Sequence, residues 1–441
     1  MSVLEQAVRT LQGSMAKEII GRVTMVRGLS VHATGLPFPV GGLVRCVPRS
    51  GSGEPAMGEV VGCDNTGTII MLFDETQGLG KGDRVFGLQT APTVAVGRNL
   101  LGRVINGFGE PIDGGGVIHD RTGYPVMPDP IGPMEREPIC ESMATGIKAI
   151  DCLTTAGRGQ RLGFFAGPGV GKSTLLASMA KHANADVIVI ALVGERGREV
   201  RDFIDQGLGE DGLARSVVVV ATSDESPLLR LRAAMTATAV AEYFRDENKS
   251  VLLLMDSLTR FCQAQRQIGL AAGEPPATKG YTPSVFAMLA KLLERAGNKR
   301  GVGSITGFYT VLVEGDDMTE PISDASRAIL DGHISLSRKL ANRGHYPAID
   351  ILDSVSRVAN TVTSTNHQLA ARQIVRLMSL YGEVEELVNI GAYVKGSNEA
   401  YDKAISAKPA IDDLLTQDIS EHWDFEMSQQ AMIRLVMESG D

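Results

Sequence analysis

Gln160-Arg161-Leu162-Gly163-Phe164-Phe165-Ala166-Gly167-Pro168-Gly169-Val170-Gly171-Lys172-Ser173-Thr174 reads as an apolar strand, a glycine-rich loop and the first turn of a helix. That order is the context a phosphate-binding loop requires. Glycines remove side chains so that successive backbone N–H groups can turn inward on phosphate oxygens. The helix that follows adds the partial positive charge of its N-terminus. The expected nucleotide-binding residues are Gly167, Pro168, Gly169, Val170, Gly171, Lys172, Ser173 and Thr174. Lys172 is expected to reach the β- and γ-phosphates, and the Ser173 hydroxyl to ligate Mg²⁺. Ala166 stands where the usual pattern has its first glycine, a mild departure. The ligand class is a nucleoside triphosphate.

Two further elements follow. Val251-Leu252-Leu253-Leu254-Met255-Asp256 puts a carboxylate at the end of a buried strand, where it can hold Mg²⁺ through water. Val187 to Val193 leads into Gly194-Glu195-Arg196-Gly197-Arg198-Glu199. Hydrolysis needs a group that orients or deprotonates the attacking water, and Glu195 is placed for it. From spacing alone, a solvated charged turn fits Glu195 equally well.

Outward from this centre the chain changes texture twice. Short β-like runs lie at Ile20 to Val26, Leu43 to Val47, Gly58 to Cys63, Thr68 to Phe73 and Arg84 to Leu88. Several such strands in so short a stretch suggest a small β-barrel. Val96 to Asp113 reads as a glycine-punctuated connector, and Pro125 to Pro138 is proline-rich. From Met143 the continuous apolar runs Gln160 to Ala166, Val187 to Val193, Val217 to Thr222, Val251 to Asp256 and Gly307 to Val313 suit strands covered on both faces. Asn366 to Tyr381, Glu383 to Val388 and Met427 to Met437 read as helices. The fold class is α/β: a P-loop NTPase core with a mainly parallel sheet, after a small N-terminal β-barrel and before a helical C-terminal domain. The divisions are residues 1–17, an N-terminal helix; 18–92, the barrel; 93–365, the P-loop domain; and 366–441, the helical domain.

Composition sets limits. The chain has 441 residues, 43% hydrophobic and 22% charged, which excludes wholesale disorder. Its 50 glycines exceed the usual ~7%. The net charge of −9 argues against bulk nucleic-acid binding. Cys46, Cys63, Cys140, Cys152 and Cys262 form no Cys-x-x-Cys pair, and their odd number argues against a full disulfide framework. The first residues lack a basic start and apolar run, so no signal peptide is expected. The expected location is cytoplasmic.

The run from Gly194 to Glu199 resembles the matching segment of the catalytic subunits of rotary ATPases and their relatives. So do Tyr346-Pro347-Ala348-Ile349-Asp350-Ile351-Leu352-Asp353-Ser354-Val355-Ser356-Arg357 and Gly109-Glu110-Pro111-Ile112-Asp113-Gly114. Within that group the chain is most similar to the flagellar and type III secretion export ATPases. Val311 to Met318, Asp324 to Ile334 and Glu386 to Tyr393 carry that likeness. The resemblance implies Mg²⁺-dependent ATP hydrolysis by a homohexamer that energises or regulates protein export. It implies that Glu195 activates water and that Arg196 and Arg260 lie close to the phosphates. Arg357 would be an arginine finger reaching a neighbouring subunit, and Tyr346 would stack on adenine. The apolar stripe Leu4, Val8, Leu11 and Met15 suits a regulatory, stator-like partner or the membrane export gate. Peripheral attachment to the inner face of the membrane follows from this, and the helical tail would face export cargo and chaperones. A virulence secretion ATPase or an ion-translocating rotary subunit is the alternative. An RNA translocase is disfavoured, because residues 18–90 hold only Phe38, Phe73 and Phe86 as aromatics for stacking. A regulatory subunit without turnover conflicts with Lys172, Ser173, Glu195 and Asp256 all being present.

Overall fold

A computed structural model describes residues 19–49, 53–74, 78–313, 315 and 317–440. The expected N-terminal helix with Leu4, Val8, Leu11 and Met15 lies outside these residues. Six strands come first: β1 (Ile20–Arg27), β2 (Ser30–Thr34), β3 (Leu43–Val47), β4 (Ala56–Asp64), β5 (Gly67–Leu72) and β6 (Arg84–Gln89). They close a barrel in the order β1-β2-β5-β4-β3-β6. Alternation drives the closure: Val23 points in while Arg22 points out, and Val31, Val44, Val60, Ile70 and Val85 fill the interior. The sequence reading found five of these strands and missed β2, where Ser30 and His32 interrupt the apolar pattern.

The expected connector also carries strand structure. β7 (Thr93–Val96) pairs with β9 (Thr122–Pro125), and between them β8 (Arg103–Ile105) joins the edge of the central sheet. That sheet adds β10 (Arg161–Ala166), β11 (Val187–Glu195), β12 (Ser216–Thr222), β13 (Ser250–Asp256), β14 (Gly297–Asn298), β15 (Ser304–Leu312), β16 (Gly332–Leu336) and β17 (Ile349–Ser356). The strand order is β17-β16-β10-β15-β13-β11-β12-β8, with β14 paired to β15. Neighbours run parallel except at β17 and β14. Every residue of β13 is buried, as a strand covered on both faces requires.

Helices pack on both sides. Those that position the site are α1 (Lys148–Leu153), α2 (Lys172–His182), α3 (Pro227–Asp246) and α4 (Leu258–Ala271). The C-terminal region is α5 (Thr365–Asn389), α6 (Glu399–Leu415) and α7 (Phe425–Gly440). The two helical segments expected at Asn366 to Val388 are one helix, continuous through Gly382. The turn between α5 and α6 exposes Ile390 and Val394. No described helix is long and apolar enough to cross a membrane. All five cysteines are free, with Cys46, Cys152 and Cys262 buried.

One buried ion pair fixes the proline-rich stretch to the core. Arg295 donates to both Glu242 oxygens, at 2.9 and 2.6 Å, and to the Val126 carbonyl at 2.9 Å. Both side chains are over nine-tenths buried. Removing one partner strands the other charge in a low-dielectric interior, which costs about 3–5 kcal/mol. Glu242→Ala is therefore expected to lower the unfolding free energy, measured by denaturant titration, by that much; a loss under about 1 kcal/mol would show that water or another group satisfies Arg295.

Candidate active site

The phosphate loop hangs between two fixed points. Ala166 ends β10 in register with Leu312 of β15 and Leu336 of β16. It is fully buried, and its methyl group is accommodated where the motif usually has glycine. Val170 is tucked into the core beneath the loop. Gly169 and Gly171 take φ of +79° and +87°, the left-handed region that glycine enters without strain. Ser173 and Thr174 are exposed in the first turn of α2, where backbone N–H groups have no partner within the helix.

Lys172, the first residue of α2, reaches across to the neighbouring strand ends. Its Nζ donates to Asp256 Oδ1 at 2.6 Å and lies 3.7 Å from Glu195 Oε1. Asp256 is 3% exposed and also accepts from the Thr310 hydroxyl at 2.7 Å. Glu195 arrives by a local irregularity: the β11–β12 register shifts between Val193 and Glu195, and Gly194 has φ +75°. A bulge of this kind re-aims the side chain that follows it. A Cβ at Gly194 would lie 2.9 Å from Arg260 Cβ, so the close approach of α4 also requires glycine there.

Burial pushes the Glu195 carboxyl up to about 7, helped by the negative charge of Asp256 and opposed by Lys172. A carboxylate that titrates near neutrality suits a general base. Only the ionised form can accept a proton, so kcat/KM is expected to fall as pH drops through about 7. A flat profile between pH 6 and 8 would exclude Glu195 as the titrating group. The oxygen donors at the mouth, Ser173 hydroxyl and Asp256 carboxylate, are the hard ligands that Mg²⁺ prefers.

Beside α2 lies a cavity of about 440 Å³ bounded by Gly171, Leu175, Tyr346, Gln417 and Ile419. Tyr346 is 44% exposed, and a Cβ at Gly171 would sit 3.5 Å from its ring. The far wall comes from the segment between α6 and α7, which the sequence reading did not assign to the site. Gln417 N donates to the Tyr346 carbonyl at 2.9 Å, and its side chain bonds Gly146 O and Lys148 N. A flat aromatic face over an apolar cavity next to a phosphate loop fits a purine base.

The arginines divide. Arg260 packs its stem against Gly194 and donates to Gln263 at 3.1 Å. Arg196 is turned to solvent, 3.6 Å from Glu199. Arg357 follows β17, which is antiparallel to β16: Leu336 pairs with Ile349, but Gly332 pairs with Ser356. Since Leu336 is level with Ala166, Arg357 lies at the other end of the sheet from its own phosphate loop. Four strand residues put it roughly 13 Å or more away. The structure therefore gathers Lys172, Ser173, Glu195, Asp256 and Tyr346, and separates Arg357 from them.

The nucleotide-binding domain of the ATP synthase alpha/beta family matches residues 146–356. The flagellum-specific ATP synthase of Treponema pallidum is 53% identical over 416 residues, covering 94% of this chain and 93% of that protein. The chain belongs to the ATP synthase alpha/beta family. Within this family it is an ATPase of the flagellar and type III secretion branch, since the C-terminal domain of the type III secretion ATPase EscN matches residues 363–434. The assembled EscN of enteropathogenic E. coli superposes with a TM-score of 0.88 at 40% identity, over 94% of this chain and all of that one. EscN solved with its central stalk EscO gives 0.86 at the same identity and coverage. The matched nucleotide-binding domain contains the phosphate loop, Glu195, Asp256 and Tyr346.

Proposed function

We propose that this ATPase works as a homohexameric ring that energises or regulates protein export through the flagellar type III apparatus. The observation that carries the ring is the place of Arg357. One chain holds a phosphate loop, Glu195 and Asp256, yet its exposed arginine is at the opposite sheet end. Closed repetition of one chain brings each such arginine toward the next chain's site. The assembled EscN supports the same reading, and its complex with EscO supports a central-stalk partner for this chain.

In the proposed site the loop N–H groups and Lys172 bind the phosphates, and Tyr346 stacks on adenine. Ser173 and Asp256 would hold Mg²⁺, which supplies neutralising charge at the β- and γ-phosphates when bound. Glu195 takes the proton of the attacking water, and Arg357 of the adjoining subunit stabilises charge on the transferring phosphoryl. Thr310 fixes Asp256 so that Lys172 can turn from it to phosphate. Arg196 and Arg260 flank Glu195 in sequence and in space respectively, and come close to the phosphates only if they reorient. A stator-like partner at residues 1–17, the membrane export gate, and cargo with its chaperones complete the proposed setting, with the protein peripheral to the inner face of the membrane.

Phosphate release measured against concentration of the pure chain tests the ring. Turnover per chain is expected to rise steeply as chains assemble; constant specific activity across the range would mean that each chain is self-sufficient.

A further inference from the structure

Arg357 has an unusual combination of held backbone and free head group. Its N–H donates to the Asp331 carbonyl at 3.0 Å, while its guanidinium is exposed, with a 3.4 Å contact to the Arg327 carbonyl. What holds that backbone traces to one buried amide. Gln160 is fully buried immediately before β10. Its Nε2 donates to the same Asp331 carbonyl at 3.1 Å and to the Ser356 hydroxyl at 3.1 Å. Its Oε1 accepts from Gly157 N at 2.8 Å, which fixes the orientation of the amide. The Ser356 hydroxyl in turn donates to Thr155 O at 2.8 Å. Beside them Arg161 grips the Asp331 carboxylate at 3.0 and 3.1 Å.

We propose that Gln160 is a positioning residue for Arg357, the buried peg that sets where the arginine is presented to the neighbouring subunit. The inference rests on the reading of Arg357 as acting across a subunit boundary. Its physical basis is that both residues bounding the arginine's backbone, Ser356 and Asp331, are tied to one side chain. A buried carboxamide with its donors and acceptor satisfied has a single orientation, so the turn that follows β17 has one as well. Gln160 also immediately precedes the strand whose other end is the phosphate loop. The arginine offered to one site and the loop of another are thus fixed to the same strut.

The test uses mixed rings of full-length chains. Gln160→Leu keeps the volume and removes the hydrogen bonds. Displacing a catalytic group by an ångström costs on the order of 10²-fold, so kcat of Gln160→Leu is expected to fall by about that factor with KM for ATP unchanged. Mixed with Lys172→Ala chains, which have a sound arginine and a dead loop, Gln160→Leu chains are expected to recover activity. Mixed with Arg357→Ala chains they are expected to recover none, because neither partner presents the arginine. Recovery with Arg357→Ala would place the Gln160 defect in its own phosphate loop and overturn the proposal. Ser356→Ala, which deletes only a hydroxyl, runs in parallel and is expected in the same class should Gln160→Leu fail to fold. If Lys172→Ala and Arg357→Ala chains do not complement each other, the cross-subunit reading itself falls, and the positioning role with it.

Discussion

Glu195→Gln is expected to abolish turnover while ATP still binds. Glutamine keeps the length and shape of the side chain but cannot accept a proton from water. The carboxylate is where a base is needed, on the bulge that ends β11 and within 3.7 Å of the lysine that serves the phosphates. General-base catalysis typically supplies about 10²–10⁴-fold, and a loss in that range is expected. Asp256 is held by the Thr310 hydroxyl and is the carboxylate proposed for Mg²⁺. The base pocket and loop are untouched by the change, so equilibrium binding of a fluorescent ATP analogue is expected within a few-fold of wild type. Single-turnover phosphate release and binding, measured on the same preparation, decide it: retained hydrolysis removes Glu195 from the mechanism, and lost binding makes it structural.

The second large effect concerns Arg357. Arg357→Ala alone is expected to lower kcat by about 10³–10⁵, the range in which arginine fingers act. Lys172→Ala alone is expected to be inactive because its loop cannot hold phosphate. Mixed in equal amounts, the two should regain activity, since an intact loop from one chain can meet an intact arginine from the other. Random assembly into closed rings gives roughly a quarter of sites both parts, and so roughly a quarter of wild-type turnover. An arginine acting within its own chain, or only on folding, gives no recovery at any ratio. The strand register favours recovery, because no rotamer of Arg357 spans a sheet from one end to the other.

The phosphate loop was legible because its signal is local: glycines, a lysine and hydroxyls in one run, framed by strand and helix. Buried parallel strands were legible for the same reason, their apolar runs being unbroken. What escaped was short, edge-placed or assembled from afar. β16 alternates buried and half-exposed residues and β17 exposes Leu352 and Asp353, so neither reads as a core strand. Pro409 lies inside α6 and disguises a helix of 17 residues. Thr310 reaches Asp256 across 54 positions, and Gln417 reaches Gly146 across 271. No window along the chain contains both members of such pairs. The three arginines illustrate the limit of motif reading. Resemblance implies that Arg196 and Arg260 lie close to the phosphates and that Arg357 reaches a neighbouring subunit; the fold turns Arg196 to solvent, packs Arg260 against Gly194 and puts Arg357 at the far end of the sheet.

The wall of the base cavity has a mechanical consequence. In the proposed site phosphate and purine would be held from two elements: the loop belongs to the central sheet, whereas Gln417 to Ile419 follow the end of α6. With 17 residues, α6 is a rod of roughly 25 Å from that wall to its far end. Were α6 to tilt by about 5°, its far end would swing by roughly 2 Å. The exposed Ile390 and Val394 lie at that end. A displacement at the cavity wall would in this way be carried along α6 to an apolar tip.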